Sequence, residues 1–80
     1  MIISIKYFGL LTDIVQKKEE QLIIEEETIS VGFLKNKMES QNQELKNTFY
    51  SIAINQVLAG IDQTINDKDT IAFLPPFAGG

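Results

Sequence analysis

The last ten residues of the chain constrain its fold more than any other stretch does. They read IAFLPPFAGG: an apolar run at residues 71–74, two prolines and a terminal pair of glycines. The apolar run suits a buried strand, and Pro75 ends it because proline cannot donate a hydrogen bond to a neighbouring strand. Pro75 and Pro76 favour an extended polyproline geometry, and Gly79 and Gly80 add no side chains. The sequence therefore predicts a sheet that stops before the prolines, followed by a thin projecting tail.

This tail carries one reactive group, the terminal carboxylate of Gly80. An extended chain spans about 3.3 Å per residue, so the segment from Pro75 to Gly80 reaches about 20 Å. That length is enough to enter a partner's cleft while the folded domain stays outside. A frayed end is the weaker interpretation, because a terminal Gly-Gly pair arises by chance in only about 0.5% of chains. We predict that the function lies at Gly80.

The amino-acid inventory argues against most kinds of catalytic site. The chain contains no cysteine and no histidine, which removes thiol nucleophiles, Ser-His and Cys-His pairs, ordinary zinc sites and the usual general base at neutral pH. The net charge is −4 and every basic residue is a lysine, so no arginine is present for bidentate contacts to phosphate or guanine. We expect no metal site and no nucleic-acid partner, and a basic surface on any protein partner.

Length and hydropathy predict one small domain. A chain of 80 residues buries about 60% of its unfolded surface and has little stability to spare. No apolar stretch approaches the length that spans a membrane. Met1 leads directly into residues 2–5 without the basic flank or cleavage site of a signal peptide. We expect no membrane partner and a cytoplasmic location.

The spacing of apolar residues predicts the order strand, helix, strand, helix, strand, strand, strand. The predicted spans are, in order, 2–8, 10–18, 20–25, 31–40, 50–54, 57–61 and 70–74. The second strand is placed at a sheet edge beside the first, and a tight turn at Asn55-Gln56 joins the fourth strand to the third. Residues 41–46 are predicted as a loop or short irregular turn held down by Leu45 and Phe49. These elements indicate an α+β domain in which a mixed sheet covers the main helix on one side.

One hydrophobic core is predicted between the sheet and the main helix. Strand positions contribute to it at every second residue and helix positions at every third or fourth. Its predicted members are Ile3, Ile5, Tyr7, Leu34, Met38, Ile52, Ile54, Ile71 and Phe73.

Five segments together resemble the small subunit of molybdopterin synthase, the MoaD-type sulfur carrier of the ubiquitin-like β-grasp family, over essentially the full chain. The segments are Tyr7-Phe8-Gly9 with the helix behind it, Ser30-Val31-Gly32-Phe33-Leu34, Ile52-Ala53-Ile54-Asn55-Gln56, residues 67–73 (DKDTIAF) and residues 74–80 (LPPFAGG). The last segment is the most specific, because ubiquitin-like proteins in general share Gly-Gly whereas the paired prolines are typical of this subgroup.

This resemblance implies a β-grasp fold with a mixed five-stranded sheet packed on one main helix, and a flexible C-terminal Gly-Gly tail. Residues 1–75 would form the domain and residues 76–80 the extended tail. The function it implies is sulfur transfer in molybdenum cofactor biosynthesis. The Gly80 carboxylate would be adenylated, converted to a thiocarboxylate and used to donate sulfur to cyclic pyranopterin monophosphate.

The resemblance also implies several partners. They are the synthase large subunit, in a heterotetramer of two small and two large subunits, a nucleotide-binding activating enzyme that adenylates the tail, and a sulfur donor. ATP would be needed by the activating enzyme, with no cofactor permanently bound to this chain. Catalytic acids and bases would belong to the large subunit, so the chain itself would be a non-catalytic carrier.

The site residues implied by the resemblance fall into three groups. Gly80 would be the reacting group, and Phe77, Ala78 and Gly79 would thread into the partner's channel. The residues expected to bind the partner are Phe8, Leu58, Phe73, Leu74, Pro75 and Pro76. The apolar pattern leaves Phe8, Leu58 and Phe73 equally open to placement in the core.

Two departures from the family pattern concern the turn before the last strand and the segment after the first. Relatives usually carry glycine where this chain has Lys68, and a lysine in a left-handed turn costs roughly 1 to 2 kcal/mol, so the left-handed turn and a different turn both stay open there. Residues 11–18 lack the arginine that relatives often carry, which places partner contacts from that segment in question.

Two other functions use the same tail. One is sulfur transfer for thiamine or for transfer-RNA thiolation, with a different acceptor. The other is a protein modifier joined to lysines through Gly80, which would leave a Gly-Gly remnant on its targets. A structural module with an idle tail is a third interpretation, and deleting Gly79 and Gly80 would then leave function unchanged.

Overall fold

The computed structural model of the protein describes residues 1–76. Phe77, Ala78, Gly79 and Gly80, predicted to form the threading tail, lie outside the described residues. The elements are β1 (Ile2–Tyr7), α1 (Leu10–Val15), β2 (Glu19–Ile23), β3 (Ile29–Ser30), α2 (Val31–Gln41), α3 (Gln43–Lys46), β4 (Ser51–Ile54), β5 (Val57–Ala59), β6 (Thr64–Ile65) and β7 (Thr70–Leu74).

Five of these strands form one mixed sheet in the order β2-β1-β7-β4-β5. β7 runs parallel to β1, and the other neighbouring pairs are antiparallel. The predicted mixed five-stranded sheet is confirmed, with β2 at one edge and beside β1 as expected. The last strand of the chain is therefore the middle strand of the sheet.

The hydrophobic core lies between one face of this sheet and α2. Eight of the nine predicted core residues are buried, and Ile54 is half-buried and packs against the same cluster. Alternation along the strands explains which residues are buried, since Ile3, Ile5 and Tyr7 face inward while Ser4 and Lys6 face outward. Leu11 and Leu45, both fully buried, extend the core under the short helices.

Helix α2 begins where the sequence predicts. The Ser30 hydroxyl accepts a hydrogen bond from the Phe33 N–H at 3.0 Å, which satisfies one of the free donors of the first turn. Val31, Leu34 and Met38 form its buried stripe. This stripe is the surface that the sheet curves over, so the ubiquitin-like β-grasp arrangement is confirmed for the described residues.

Two turns place side-chain-bearing residues in the left-handed region. Asn55 and Gln56 have φ of 49° and 72°, values typical of the tight hairpin turn predicted between β4 and β5. Lys68 has φ of 70°, so the chain forms a left-handed turn at this position although it carries a lysine there. Asn55 also links the two turns, because its Nδ2 donates to Asp69 Oδ1 at 2.9 Å and its Oδ1 accepts from the Thr70 N–H at 2.9 Å.

The structure corrects three expectations about the connections. Residues 43–46, predicted as a loop, form the short helix α3, and Phe49 is 87% exposed instead of anchoring that segment. The predicted fourth strand ends at Ala59 instead of Ile61. β3 and β6 form an additional two-stranded ribbon. Within residues 1–76, no helix is long and apolar enough to cross a membrane.

Candidate functional site

The root of the tail is held in the centre of the sheet. β7 forms backbone ladders with β1 on one side and β4 on the other, in registers that pair Phe73 with Tyr7 and with Ile52. The ladder continues one residue past β1, because the Phe8 N–H donates to the Phe73 carbonyl oxygen at 3.2 Å. The chain therefore leaves the sheet from a position fixed on both sides.

Phe73 anchors this root from the core side. Its side chain is fully buried, with its ring centroid 5.4 Å from that of Tyr7 and 5.3 Å from that of Tyr50. The Tyr50 ring stacks on it with an interplanar angle of 17°. The expectation that Phe73 binds a partner is therefore wrong for the folded chain, because the inward register position next to Tyr7 places its ring in the core.

The two tyrosines are themselves held at the rim of the core. The hydroxyl of Tyr7 donates to Glu20 Oε2 at 2.6 Å, and that of Tyr50 donates to Glu39 Oε2 at 2.6 Å. Burial raises the pKa of both phenols well above the usual range, and the adjacent carboxylates raise it further. Both hydroxyls thus remain protonated hydrogen-bond donors at neutral pH, with a structural role.

A lysine completes each of these groups. Lys17 Nζ lies 3.2 Å from Glu20 Oε1, and Lys35 Nζ lies 3.4 Å from Glu39 Oε2. Lys35 Nζ also lies 5.2 Å from the Tyr50 ring centroid. A groove of about 430 Å³ runs between α2 and the β4–β5 hairpin, and Lys35 is the one charged residue among the described residues that line it. These polar groups are paired with one another, and we assign them no catalytic role.

The face of the sheet turned away from α2 carries small and apolar side chains near the tail. The register places Lys6, Ala72, Ala53 and Leu58 in one row across four strands, with Leu74 two residues beyond Ala72. We call the apolar part of this surface, which consists of Ala53, Leu58, Ala72 and Leu74, the open face. Leu58 is 68% exposed, and Leu74 is half-buried. The two alanines sit at outward positions where a solvated sheet usually carries polar residues, which leaves a smooth surface suited to a partner.

Most of the predicted partner-binding residues lie on or near this surface. Phe8 follows β1 directly and is 44% exposed, Pro75 is half-buried and Pro76 is exposed. Leu58 and Leu74 belong to the open face itself. Partner contact by these residues stays a prediction.

Gly9, which the sequence analysis named only as part of the segment Tyr7-Phe8-Gly9, is a further feature of the site. Its φ is 57°, and a Cβ atom built on it would lie 2.9 Å from Pro75 Cγ. Pro75 thus lies against a residue that has no side chain. The sequence signal was the glycine directly after Phe8, but no pattern links residue 9 to a proline 66 positions later. The alanines of the open face were visible as a signal, in the outward alternation of β4 and β7.

No cluster of three or more acidic, histidine or cysteine side chains that could hold a metal ion occurs in the part of the chain that the structure describes. Gly80, the predicted reacting group, lies outside that part together with Phe77, Ala78 and Gly79. What the described residues offer is a rigid exit for the chain, bordered by an apolar face.

Comparison with known proteins finds a matching family and solved structures with a similar fold. The model of the ThiS family matches residues 5–80. A protein from Pyrococcus furiosus described as molybdopterin converting factor subunit 1 is similar, with a TM-score of 0.86 and 20% identity over 96% of this chain and 99% of that one. Small archaeal modifier protein 1 from Methanosarcina acetivorans is also similar, with a TM-score of 0.80 and 21% identity over 99% of this chain and 96% of that one. A chain in the complex of molybdopterin-converting factor subunits 1 and 2 from Helicobacter pylori has a TM-score of 0.69 and 22% identity, and the match covers the full length of that chain and of this one.

Proposed function

The chain belongs to the ThiS family, and from this premise we propose that it is a sulfur carrier whose working group is the C-terminal carboxylate of Gly80. The observation that carries the proposal is the root of the tail. A strand in the middle of the sheet, fixed by ladders on both sides, leads through two prolines to a terminal Gly-Gly sequence. The fold thus supplies a firm base for a chain end without side chains.

The proposed chemistry begins with activation, because a carboxylate is a poor acyl donor. A Gly80 oxygen attacks the α-phosphorus of ATP in a separate activating enzyme, and pyrophosphate leaves. A donor supplying sulfur at the oxidation level of sulfide then attacks the acyl carbon, and AMP leaves with the bonding electrons. The product is a thiocarboxylate. This chain catalyses neither step; it presents its terminus to the enzyme.

The proposed acceptor is cyclic pyranopterin monophosphate, bound in the large subunit of molybdopterin synthase. The large subunit would supply the acids and bases, and two small and two large subunits would form the heterotetramer. The likeness to molybdopterin converting factor subunit 1, and the existence of a complex of subunits 1 and 2 for the H. pylori protein, support this pathway. The ATP is consumed by the activating enzyme, and the proposed location is the cytoplasm.

We assign docking on the large subunit to the open face together with Phe8. These residues are apolar and next to the exit of the tail, and all of them except the buried Ala53 are exposed or half-buried. The tail begins at the end of β7, beside the open face, so a partner that covers this face also receives the tail. Docking and delivery would then be two tasks of one side of the domain.

A second candidate function is modification of proteins through an isopeptide bond from Gly80 to lysine. The likeness to small archaeal modifier protein 1 favours it. Both functions share the adenylate and diverge at the nucleophile, which is sulfur in one case and an amine in the other. A Gly-Gly remnant on lysines of other proteins after proteolysis would favour the modifier.

The deciding experiment is intact mass spectrometry of the chain after incubation with ATP, an adenylating activating enzyme and a sulfur donor. We expect a mass gain equal to the exchange of one oxygen for one sulfur, located at Gly80 by fragmentation. The variant that lacks Gly80 is the matched control and should gain nothing. An unchanged mass in the full chain, with an activating enzyme shown to work on its own carrier, would contradict the sulfur-carrier proposal.

A further inference from the structure

Gly9 and Pro75 meet at the point where the chain leaves the sheet. A Cβ atom on Gly9 would lie 2.9 Å from Pro75 Cγ, 3.7 Å from Pro75 Cβ and 3.8 Å from Pro75 Cδ. Real Cβ atoms essentially never approach another carbon to 2.9 Å, so any side chain at position 9 would displace one partner. The φ of 57° at Gly9 is itself a conformation that residues with a side chain rarely adopt.

The corner that contains Gly9 is firmly held. The Phe8 N–H donates to the Phe73 carbonyl, the Phe8 carbonyl accepts from the Leu11 N–H at 3.1 Å, and the Gly9 carbonyl accepts from the Thr12 N–H at 3.1 Å. The Thr12 hydroxyl adds a hydrogen bond to the Tyr7 carbonyl at 3.1 Å. Because the corner is tied to both β7 and α1, a new side chain at Gly9 would be accommodated mainly by movement of Pro75.

We propose that Gly9 is a positioning residue for sulfur transfer: the bare backbone of Gly9 seats the Pro75 ring and thereby sets the direction in which the tail leaves the domain. The inference rests on the proposed function and deepens it. It assigns to the corner between β1 and α1 a role that docking residues cannot fill. Docking fixes where the domain sits on its partner, whereas the contact between Gly9 and Pro75 fixes where the tail points.

A small change of direction at Pro75 has a large effect at the terminus. Gly80 lies five residue steps beyond Pro75, which corresponds to a reach of about 17 Å in the extended form that a narrow channel requires. A rotation of about 10° at the root therefore displaces the carboxylate by about 3 Å, and a misplacement of 1 Å can cost about a hundredfold in rate. This displacement requires both a side chain at position 9 and the proline ring at position 75, so removing either of them should prevent it.

The test is a cycle of three variants, Gly9→Ala, Pro75→Ala and the double variant, with Gly60→Ala as the control. A Cβ atom on Gly60 meets nothing within 4 Å. The first measurement is direct and independent of function: NMR of the full-length, isotope-labelled chain should show a nuclear Overhauser contact between the Gly9 α-protons and the Pro75 ring. The second is the kcat for product formation by the reconstituted synthase, using the thiocarboxylated form of each variant, beside its melting temperature.

We expect Gly9→Ala to lower kcat by at least tenfold, toward the hundredfold cost of an ångström-scale misplacement, and to lower Tm by about 5 to 10 °C because of the positive φ. The double variant should recover kcat to within about threefold of Pro75→Ala, while its Tm stays low. This separation is the signature of positioning, since a purely structural role would move kcat and Tm together. Gly60→Ala should match the wild type in both.

Three results would overturn the inference: no contact between Gly9 and Pro75 in the wild type, a wild-type kcat in Gly9→Ala, or no recovery of kcat in the double variant. Each of these leaves the proposed function intact if the wild type carries sulfur. A wild-type chain that accepts no sulfur contradicts the proposed function instead, and the NMR contact still decides whether Gly9 seats Pro75.

Discussion

At the scale of the residue, Lys68 shows how a local conformation survives an unfavourable side chain. Its φ of 70° is held by hydrogen bonds on both sides: the Lys68 N–H donates to the Ile2 carbonyl at 2.8 Å, and the Asn66 N–H donates to Asp69 Oδ2 at 2.8 Å. The Ile2 N–H in turn donates to Asp67 Oδ1 at 2.6 Å. The surrounding contacts therefore impose the left-handed turn on a residue that disfavours it.

We predict that Lys68→Gly stabilises the protein. Relief of the left-handed strain contributes about 1 to 2 kcal/mol, and the extra backbone entropy of glycine costs about 0.5 to 1 kcal/mol, so the free energy of unfolding should rise by up to about 1.5 kcal/mol. Urea unfolding measures it. Lys37→Gly inside α2 is the matched control and should lower the same quantity by about 1 kcal/mol. A loss at Lys68 as large as that at Lys37 would show that the turn is not strained.

At the scale of the element, α2 joins the sheet through one narrow stripe. Leu34 is fully buried, whereas its neighbour Phe33 is 45% exposed although it is the larger apolar side chain. The turn of the helix accounts for the difference, because positions 31, 34 and 38 lie on one side and position 33 is rotated away from them. Helix packing thus depends on position more than on hydrophobicity.

This contrast predicts opposite outcomes for two truncations in the same helix turn. Leu34→Ala should lower the free energy of unfolding by about 2 to 5 kcal/mol, because it removes a buried side chain and leaves a cavity. In a domain whose total stability is expected near the lower end of about 5 to 15 kcal/mol, that loss leaves much of the chain unfolded. Phe33→Ala should cost less than about 1 kcal/mol. Equal losses in chemical denaturation would contradict the packing described for α2.

The elements that the sequence predicted are those with a clear local signal. Alternation identified β1 and β4, an apolar run ended by Pro75 identified β7, and the apolar stripe identified α2. The ribbon of β3 and β6 was missed because two residues cannot establish a period, and its register pairs Ile29 with Ile65, a contact distant in sequence. Phe49 was misplaced for a related reason, since hydrophobicity alone does not say whether a connecting residue finds space in the core.

At the scale of the whole molecule, the candidate site was predictable in chemistry and only partly in geometry. The absence of cysteine and histidine, with the Pro-Pro and Gly-Gly signals, pointed to a function at the chain terminus, and the family resemblance implied the role of a carrier. Burial of Phe73 and the seat that Gly9 forms for Pro75 depend on the middle position of β7, which brings residues 7–9 beside residues 73–75. Such contacts follow from topology, which no local pattern contains.

The last prediction separates docking from delivery across the molecule. Leu58 and Val57 are neighbours on β5 with nearly equal exposure, 68% and 69%, but their side chains point to opposite faces of the sheet. Leu58→Asp should weaken binding to the large subunit by at least tenfold, or about 1.4 kcal/mol, because it places a charge on the open face. Val57→Asp should leave the Kd nearly unchanged, and neither variant should shift Tm by more than a few degrees.

Deleting Gly80 should produce the converse result. The variant keeps the open face, so its melting temperature and its docking through Leu58 should change little, surface changes costing within about 0.5 kcal/mol. Its terminus, however, is set back by about 3.3 Å, and misplacement of a reacting group by 1 Å can cost about a hundredfold in rate. Molybdopterin formed by the reconstituted synthase, measured beside the Kd and Tm of each variant, distinguishes the two losses. Wild-type turnover from the Gly80 deletion would show that the tail is not the active group, and the carrier function would then have to be abandoned even if Leu58 proves essential for docking.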